Sequence, residues 1–177
     1  MTGSEIDALY ARHALAADIA LVEGNKGLYD GMDLDGSNSN AALAKQLGLP
    51  VVLVIDSIGM TRGIAPLLLG YRAFDPEIRI AGVILNKVGG PRHEAKLREV
   101  VGHYTDIPVL GALHKNPALA IVERHHGLIP GNEVDEAEAR IERIADVIDS
   151  QVDLDAVLAV AAQSRPLGMA ATPAPEI

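Results

Sequence analysis

The sequence predicts an α/β domain with a mainly parallel sheet of about four strands and flanking helices. Three observations lead there. Short apolar runs alternate with stretches of helical periodicity. Three of the four runs end in a polar residue with glycine close behind: Glu23-Gly24, Asp56 before Gly59, and Asn86 before Gly89-Gly90. Aromatic residues make up only 3% of the chain against 49% hydrophobic, so the core must be built from Val, Ile, Leu and Ala.

Ser4 with Asp7 three residues on is a capping-box variant, and Ile6, Leu9, Tyr10, His13 and Ala14 recur at helical spacing, so a first helix is expected there. Asp18-Ile19-Ala20-Leu21-Val22 is apolar after its first residue, which suits a strand buried on both faces of a parallel sheet. Glu23 ends that run, and ligands of open α/β sheets bind outside the carboxyl ends of the strands. Gly24, Gly27 and Gly31 permit close backbone approach, and Asp30 adds a second carboxylate. Two acids beside a phosphate site suit Mg²⁺. Glu-Gly and Asp-Gly are equally ordinary turn dipeptides.

Ser37-Asn38-Ser39-Asn40 supplies caps for a helix through Leu47, closed by Gly48. Further strands are expected at Val51 to Ile55, Ile80 to Leu85 and Ile107 to Leu110, with helices from Met60 to Tyr71 and Pro91 to His103 between them. Asn116-Pro117 opens a helical turn to Arg124. Helical spacing returns from Val134 to Ile148 and from Leu154 to Ala161. From Ser164 the tail gathers proline and alanine and reads as a linker, leaving residues 1–163 as one domain.

A net charge of −9 argues against nucleic-acid or anionic-membrane surfaces, and the scarcity of aromatics argues against base stacking. With no cysteine, the chain can hold neither a disulfide, a thiolate metal site nor a cysteine nucleophile. MTGSEIDALY lacks the basic and apolar regions of a signal peptide, and no apolar stretch reaches the length of a membrane span. A cytoplasmic protein is expected.

The ten residues VEGNKGLYDG resemble the V-E-G-x-x-G-L-[FY]-D-G segment of the cobyrinic acid a,c-diamide synthases. The resemblance continues through SNSNAALAKQLGLPVVLVIDSIGMTRGIAPLLLGY, IAGVILNKVGGPRH, IPVLGALHKNP and ERHHGLIPGNE, and so covers roughly residues 1 to 164. It implies a partial P-loop NTPase-like fold of the dethiobiotin-synthetase kind. It also implies ATP and Mg²⁺ as cofactors, a tetrapyrrole substrate, and a glutaminase domain normally in the same chain, and it leaves room for a homodimer. In that family a strand, the Walker A loop and two more strands come first, whereas no Gly-x-x-x-x-Gly-Lys-[Ser/Thr] occurs in these 177 residues. The phosphate-loop strand would lie between the Leu21-Val22 and Val51-Ile55 strands, so those two are expected either to pair directly or to leave unpaired backbone.

By motif position the resemblance makes Glu23 a Mg²⁺-associated catalytic glutamate and Asp30 an aspartate near the reacting carboxylate. Asn86, with Lys87 after it, matches an adenine-reading asparagine, and Pro108, Leu110 and Gly111 fall where the family lines the base pocket. Arg124 and His125 match a segment placed to meet the acidic arms of a tetrapyrrole, although His126 replaces the family's leucine. A strand-end turn explains Asn86, a short buried strand explains residues 108–111, and a polar helix end explains Arg124 and His125. Asp56 reads as an acid beside the site or as a helix cap. His13, His93, His103 and His114 lack metal-ligand spacing and receive no role. Cobyrinate or hydrogenobyrinate is the first substrate expected. Sirohaem and nickel-sirohydrochlorin amidation, or a non-catalytic binding module of the MinD/ParA kind, are the alternatives.

Overall fold

The computed structural model describes residues 2–119 and 132–164. Helix α1 (Gly3–Ala14) is capped by Thr2, whose hydroxyl accepts the Glu5 N–H while the Glu5 carboxylate accepts the Thr2 N–H. The cap therefore sits two residues before the expected Ser4-Asp7 pair, because the longer Glu side chain reaches back to the cap backbone. Helix α2 (Asn40–Leu47) starts on Ser39, which accepts the Ala42 N–H, and stops at Gly48, whose φ of 66° is the left-handed conformation expected of a closing glycine.

The remaining elements are β1 (Val51–Asp56), α3 (Ile64–Phe74), β2 (Ile80–Val88), α4 (Pro91–Tyr104), β3 (Val109–His114), a 3₁₀ turn (Pro117–Leu119), α5 (Asn132–Gln151) and α6 (Leu154–Ala161). The strands form one sheet in the order β1-β2-β3, with both pairings parallel. Ile64, Leu68, Val83, Leu85, Leu97 and Val101 are fully buried where α3 and α4 pack on the sheet.

Three expectations are corrected. The run from Asp18 to Val22 is not a strand: among the described residues nothing pairs with it, and Leu21 is 91% exposed. A strand persists only where a neighbour takes its N–H and C=O groups, and no described strand does so here. The last strand runs from Val109 to His114 rather than ending at Leu110, because β2 continues to Val88 and keeps pairing with it. Helix α3 starts at Ile64 rather than Met60, leaving residues 57–63 as a crossover loop.

The junction of α5 and α6 closes over β3. Gly111 forms an antiparallel bridge with Val152, and the Asp153 N–H donates to the Leu110 carbonyl at 2.7 Å. A Cβ on Gly111 would stand 2.8 Å from Val152 Cγ2 and 3.0 Å from the Gln151 carbonyl oxygen, so the approach requires glycine. Among the described residues no helix is long and apolar enough to cross a membrane.

Candidate functional site

Four of the predicted residues fall in two places, Asn86 and Lys87 in the first and Glu23 and Asp30 in the second. The first is the carboxyl edge of the sheet, where parallel pairing brings Asp56 level with Asn86. Val88 lies level with His114 one strand further on. The Ser57 N–H donates to the Asn86 carbonyl at 2.8 Å and the Lys115 N–H to the Val88 carbonyl at 3.0 Å, so the strand ends are stitched together by backbone bonds. Lys87 has φ 57°, the only positive φ at a described non-glycine residue. Its N–H donates to Asn86 Oδ1 at 2.8 Å and its ammonium meets Asp56 Oδ2 at 2.7 Å. That ammonium, and after it the Ile58 N–H, hold the Asp56 carboxyl below its ordinary range.

Asn86 is half-buried, and among the described residues its Nδ2 has no partner. Its Oδ1 keeps a second lone pair beside the bond from Lys87. A free amide donor next to an available acceptor is the pattern a purine edge requires. The donor set at this edge therefore fits the base of a nucleotide.

The second place is the glycine loop, residues 23–31, which polar side chains fasten down. Asn40 Nδ2 donates to the Lys26 carbonyl at 2.7 Å, Lys26 Nζ to the Asn38 carbonyl at 3.0 Å, and the Met32 N–H to Asn38 Oδ1 at 2.8 Å. Tyr29 donates its hydroxyl to the Tyr71 carbonyl at 2.6 Å and packs between the rings of Tyr71 and Phe74. Asp30 folds back over Gly27, where a Cβ would fall 2.2 Å from its Oδ2, so any other residue there would turn the exposed Asp30 carboxylate aside. Glu23 is exposed and makes no hydrogen bond or ion pair among the described residues. Among the described residues no three His, Cys, Asp or Glu side chains cluster as metal ligands. A single exposed carboxylate still fits Mg²⁺, which takes one or two carboxylates and fills its other positions with water and phosphate oxygens.

No hydrogen bond or ion pair joins Glu23 or Asp30 to Asn86 or Lys87 among the described residues. Tyr29, the neighbour of Asp30, is anchored to the end of α3 that leads into β2, whereas Asn86 and Lys87 lie at the far end of β2. Pro108, Leu110 and Gly111 are not brought to Asn86 either. Pro108 precedes β3, with its carbonyl on the Val83 N–H, and Leu110 and Gly111 lie in its first half, Gly111 level with Ile84 beneath the α5–α6 junction. Arg124 and His125 lie outside the described residues.

Sequence reasoning missed four contributors. Asn38 and Asn40 read as helix caps but pin the glycine loop. His93 bonds two crossover loops, and its place in the first turn of α4 just after Gly89-Gly90 was the available signal. His114 meets the Glu94 carboxylate at 2.7 Å beside an open groove of about 480 Å³ lined also by Arg98, Gln151 and Asp153.

Over nearly its whole length the chain is similar to proteins named as a,c-diamide synthases of cobyrinate or hydrogenobyrinate. It is 44% identical over 164 residues to the cobyrinate a,c-diamide synthase of Magnetococcus marinus, covering 93% of this chain and 35% of that protein. It is 43% identical to the cobyrinate a,c-diamide synthase of Listeria monocytogenes over 86% of this chain and 34% of that protein. It is 46% identical to the hydrogenobyrinate a,c-diamide synthase of Thermobifida fusca over 89% of this chain and 33% of that protein. The chain thus spans about a third of the length of the curated relatives it matches. No solved structure matches it. The profile of the AAA domain family matches residues 2–122, well over half of the 177, and the chain belongs to that family.

Proposed function

We propose that this chain forms part of the synthetase domain of a longer glutamine-dependent amidoligase that activates tetrapyrrole side-chain carboxylates with ATP, cobyrinate or hydrogenobyrinate being the substrate. The observation that carries this reading is 43–46% identity, over nearly the whole chain, to relatives bearing those names. In this reading the substrate carboxylate takes the γ-phosphoryl group of ATP with release of ADP, and ammonia then displaces phosphate from the acyl phosphate to leave the amide. Asn86, with Lys87, reads the base, Glu23 supplies one carboxylate to Mg²⁺, and Asp30 lies toward the reacting carboxylate. The amides and lysine that grip the phosphates, and the thiolate that releases ammonia from glutamine, come from elsewhere in the polypeptide, since these 177 residues contain neither a Walker A sequence nor a cysteine.

The test is an assay of the complete polypeptide carrying this chain with glutamine, MgATP and either cobyrinate or hydrogenobyrinate. Formation of the a,c-diamide is expected from the complete protein and none from the 177 residues alone. Amidation by neither, or by the 177 residues unaided, overturns the reading. Glu23→Gln in the complete protein should fold normally yet lose on the order of 10²-fold or more in turnover. Near-normal turnover would leave Glu23 as a turn residue.

A further inference from the structure

His93 stands in the first turn of α4, half-buried, and touches both crossover loops at the carboxyl edge of the sheet. Its Nδ1 accepts the Gly89 N–H at 3.0 Å, and its Nε2 lies 2.5 Å from the Met60 carbonyl oxygen. A backbone N–H only donates and a carbonyl only accepts, so the two bonds coexist in one form of the ring, the neutral imidazole with its proton on Nε2. An imidazolium would set a second N–H against that of Gly89. The ring lies so close to the turn that a Cβ on Gly89 would stand 3.3 Å from Nδ1.

The turn needs such a restraint. Lys87 occupies a left-handed conformation that residues with a Cβ disfavour. Five bonds along it resist relaxation: the Ser57 N–H to the Asn86 carbonyl, the Lys87 N–H to Asn86 Oδ1, the Lys87 ammonium to Asp56, the Lys115 N–H to the Val88 carbonyl, and the Gly89 N–H to His93. Two of these come from side chains that also hold the β1–α3 loop: Asp56, whose Oδ1 accepts the Ile58 N–H, and His93, which reaches further along it to the Met60 carbonyl.

We infer that His93 is a positioning residue of the nucleotide site: as a neutral imidazole protonated on Nε2, it ties the Asn86–Gly89 turn to the β1–α3 loop and keeps Asn86 and Lys87 in the conformation that meets the base. This rests on the reading of Asn86 and Lys87 proposed above. The charged groups on the elements that meet here are Asp56 and Arg62 from β1 and its loop, and Lys87 from β2. Arg92, Glu94, Lys96, Arg98, Glu99 and the titratable His103 come from α4, and the titratable His114 and Lys115 from the end of β3. Asp56 pairs with Lys87, and Glu94 with Arg98 and His114.

Nitrogen NMR of this chain with ¹⁵N-labelled histidine tests the ring directly, with His93 assigned by the resonances lost in H93Q. Near neutral pH, Nδ1 should resonate as an unprotonated nitrogen and Nε2 as a protonated one; a proton on Nδ1 overturns the inference. In the complete polypeptide, H93F fills the ring's space without its bonds and should raise the KM for ATP about tenfold while kcat changes less than about twofold. H93Q, which keeps an acceptor and a donor, should recover most of that loss. Asn86→Ala is the control. If it raises the KM for ATP while H93F does not, His93 does not position the turn and the base reading stands. If Asn86→Ala itself leaves KM unchanged, the base reading fails and this inference falls with it. Should H93F not fold, the proton position in the wild-type chain and the KM of H93Q still decide.

Discussion

Val51-Val52-Leu53-Val54-Ile55-Asp56 and Asp18-Ile19-Ala20-Leu21-Val22-Glu23 are both short apolar runs that end in a carboxylate, and they meet different fates. The first becomes β1, with Val52 through Asp56 aligned along β2 and Leu53 and Ile55 buried beneath the helices. The second has no described strand beside it and leaves Ile19, Leu21 and Val22 exposed. Apolar sequence supplies the capacity for a strand, and the neighbour supplies the strand itself. The two regions are also held by different forces. Around β1 to β3 the hold is burial, worth about 1.5–3 kcal/mol for each large side chain. Around the glycine loop it is hydrogen bonds from Asn38, Asn40, Lys26 and Tyr29, each worth about 0.5–1.5 kcal/mol net.

The largest expected effect breaks this comparison open. Leu85→Ala removes a fully buried side chain from the middle of the sheet and should cost about 2–5 kcal/mol in urea unfolding. Leu21→Ala removes one that is 91% exposed and should cost less than about 0.5 kcal/mol. Hydrogen exchange should follow the same order, fast from Ile19 to Val22 and slow from Val83 to Leu85. Equal costs, or equal protection, would mean that residues 18–22 are paired and buried in solution.

The same contrast explains what was legible in the sequence. Three of the four expected strands exist because their periodicity, their terminal polar residues and their neighbours all lie within the described sheet, and α2 is bounded by its cap and closing glycine as read. The 18–22 run reads as a strand whose partner is open between direct pairing with residues 51–55 and unpaired backbone, and among the described residues no strand pairs with it. Residues 108–111 were expected at a strand end, but β3 continues to His114, since nothing in IPVLGALH marks where pairing with β2 stops. The glycine loop was visible as chemistry, whereas its fasteners were not. Asn40 Nδ2 reaches back 14 residues to Lys26, and a bond of that span leaves no local pattern.

A smaller effect sharpens the account of the loop. Tyr29 joins the two regions, donating to the Tyr71 carbonyl at 2.6 Å while its ring meets those of Tyr71 and Phe74. Burial, followed by the Asp75 charge, raises its pKa, so it keeps its proton and its donor role throughout the neutral range. Tyr29→Phe keeps the ring contacts and deletes the donor, leaving the half-buried carbonyl of Tyr71 short of a partner. A loss of about 1 kcal/mol is expected, with faster amide exchange at Asp30, whose N–H bonds the Gly27 carbonyl within the loop. No change in either measurement would mean that the aromatic packing alone holds the loop to α3.

The smallest effect belongs to the Glu94 cluster, on the sheet side of the comparison. Glu94 accepts from Arg98 Nε at 2.7 Å and meets His114 Nε2 at 2.7 Å, linking α4 to the end of β3. Burial is the largest single influence and raises its pKa, but the hydrogen bonds from Arg98 and His114 together outweigh it and hold the carboxyl below its ordinary value of 4.5. A carboxylate whose folded pKa is depressed adds stability that is fully present above the unfolded value and is lost as pH falls through the folded one. Glu94 should therefore stabilise the fold fully at neutral pH, with its contribution declining as pH falls below about 4.5 and lost as pH passes through the lower folded value. The pair is partly exposed, so Glu94→Gln should cost about 0.5–1 kcal/mol at pH 7 and less at pH 3, as read by urea unfolding at the two pH values. Arg98 also donates to the Val109 carbonyl at 3.3 Å, so the variant keeps one tie between α4 and β3, and the loss should stay small. A difference from wild type that persists undiminished at pH 3 would mean that Glu94 acts through the shape it fills rather than through its charge.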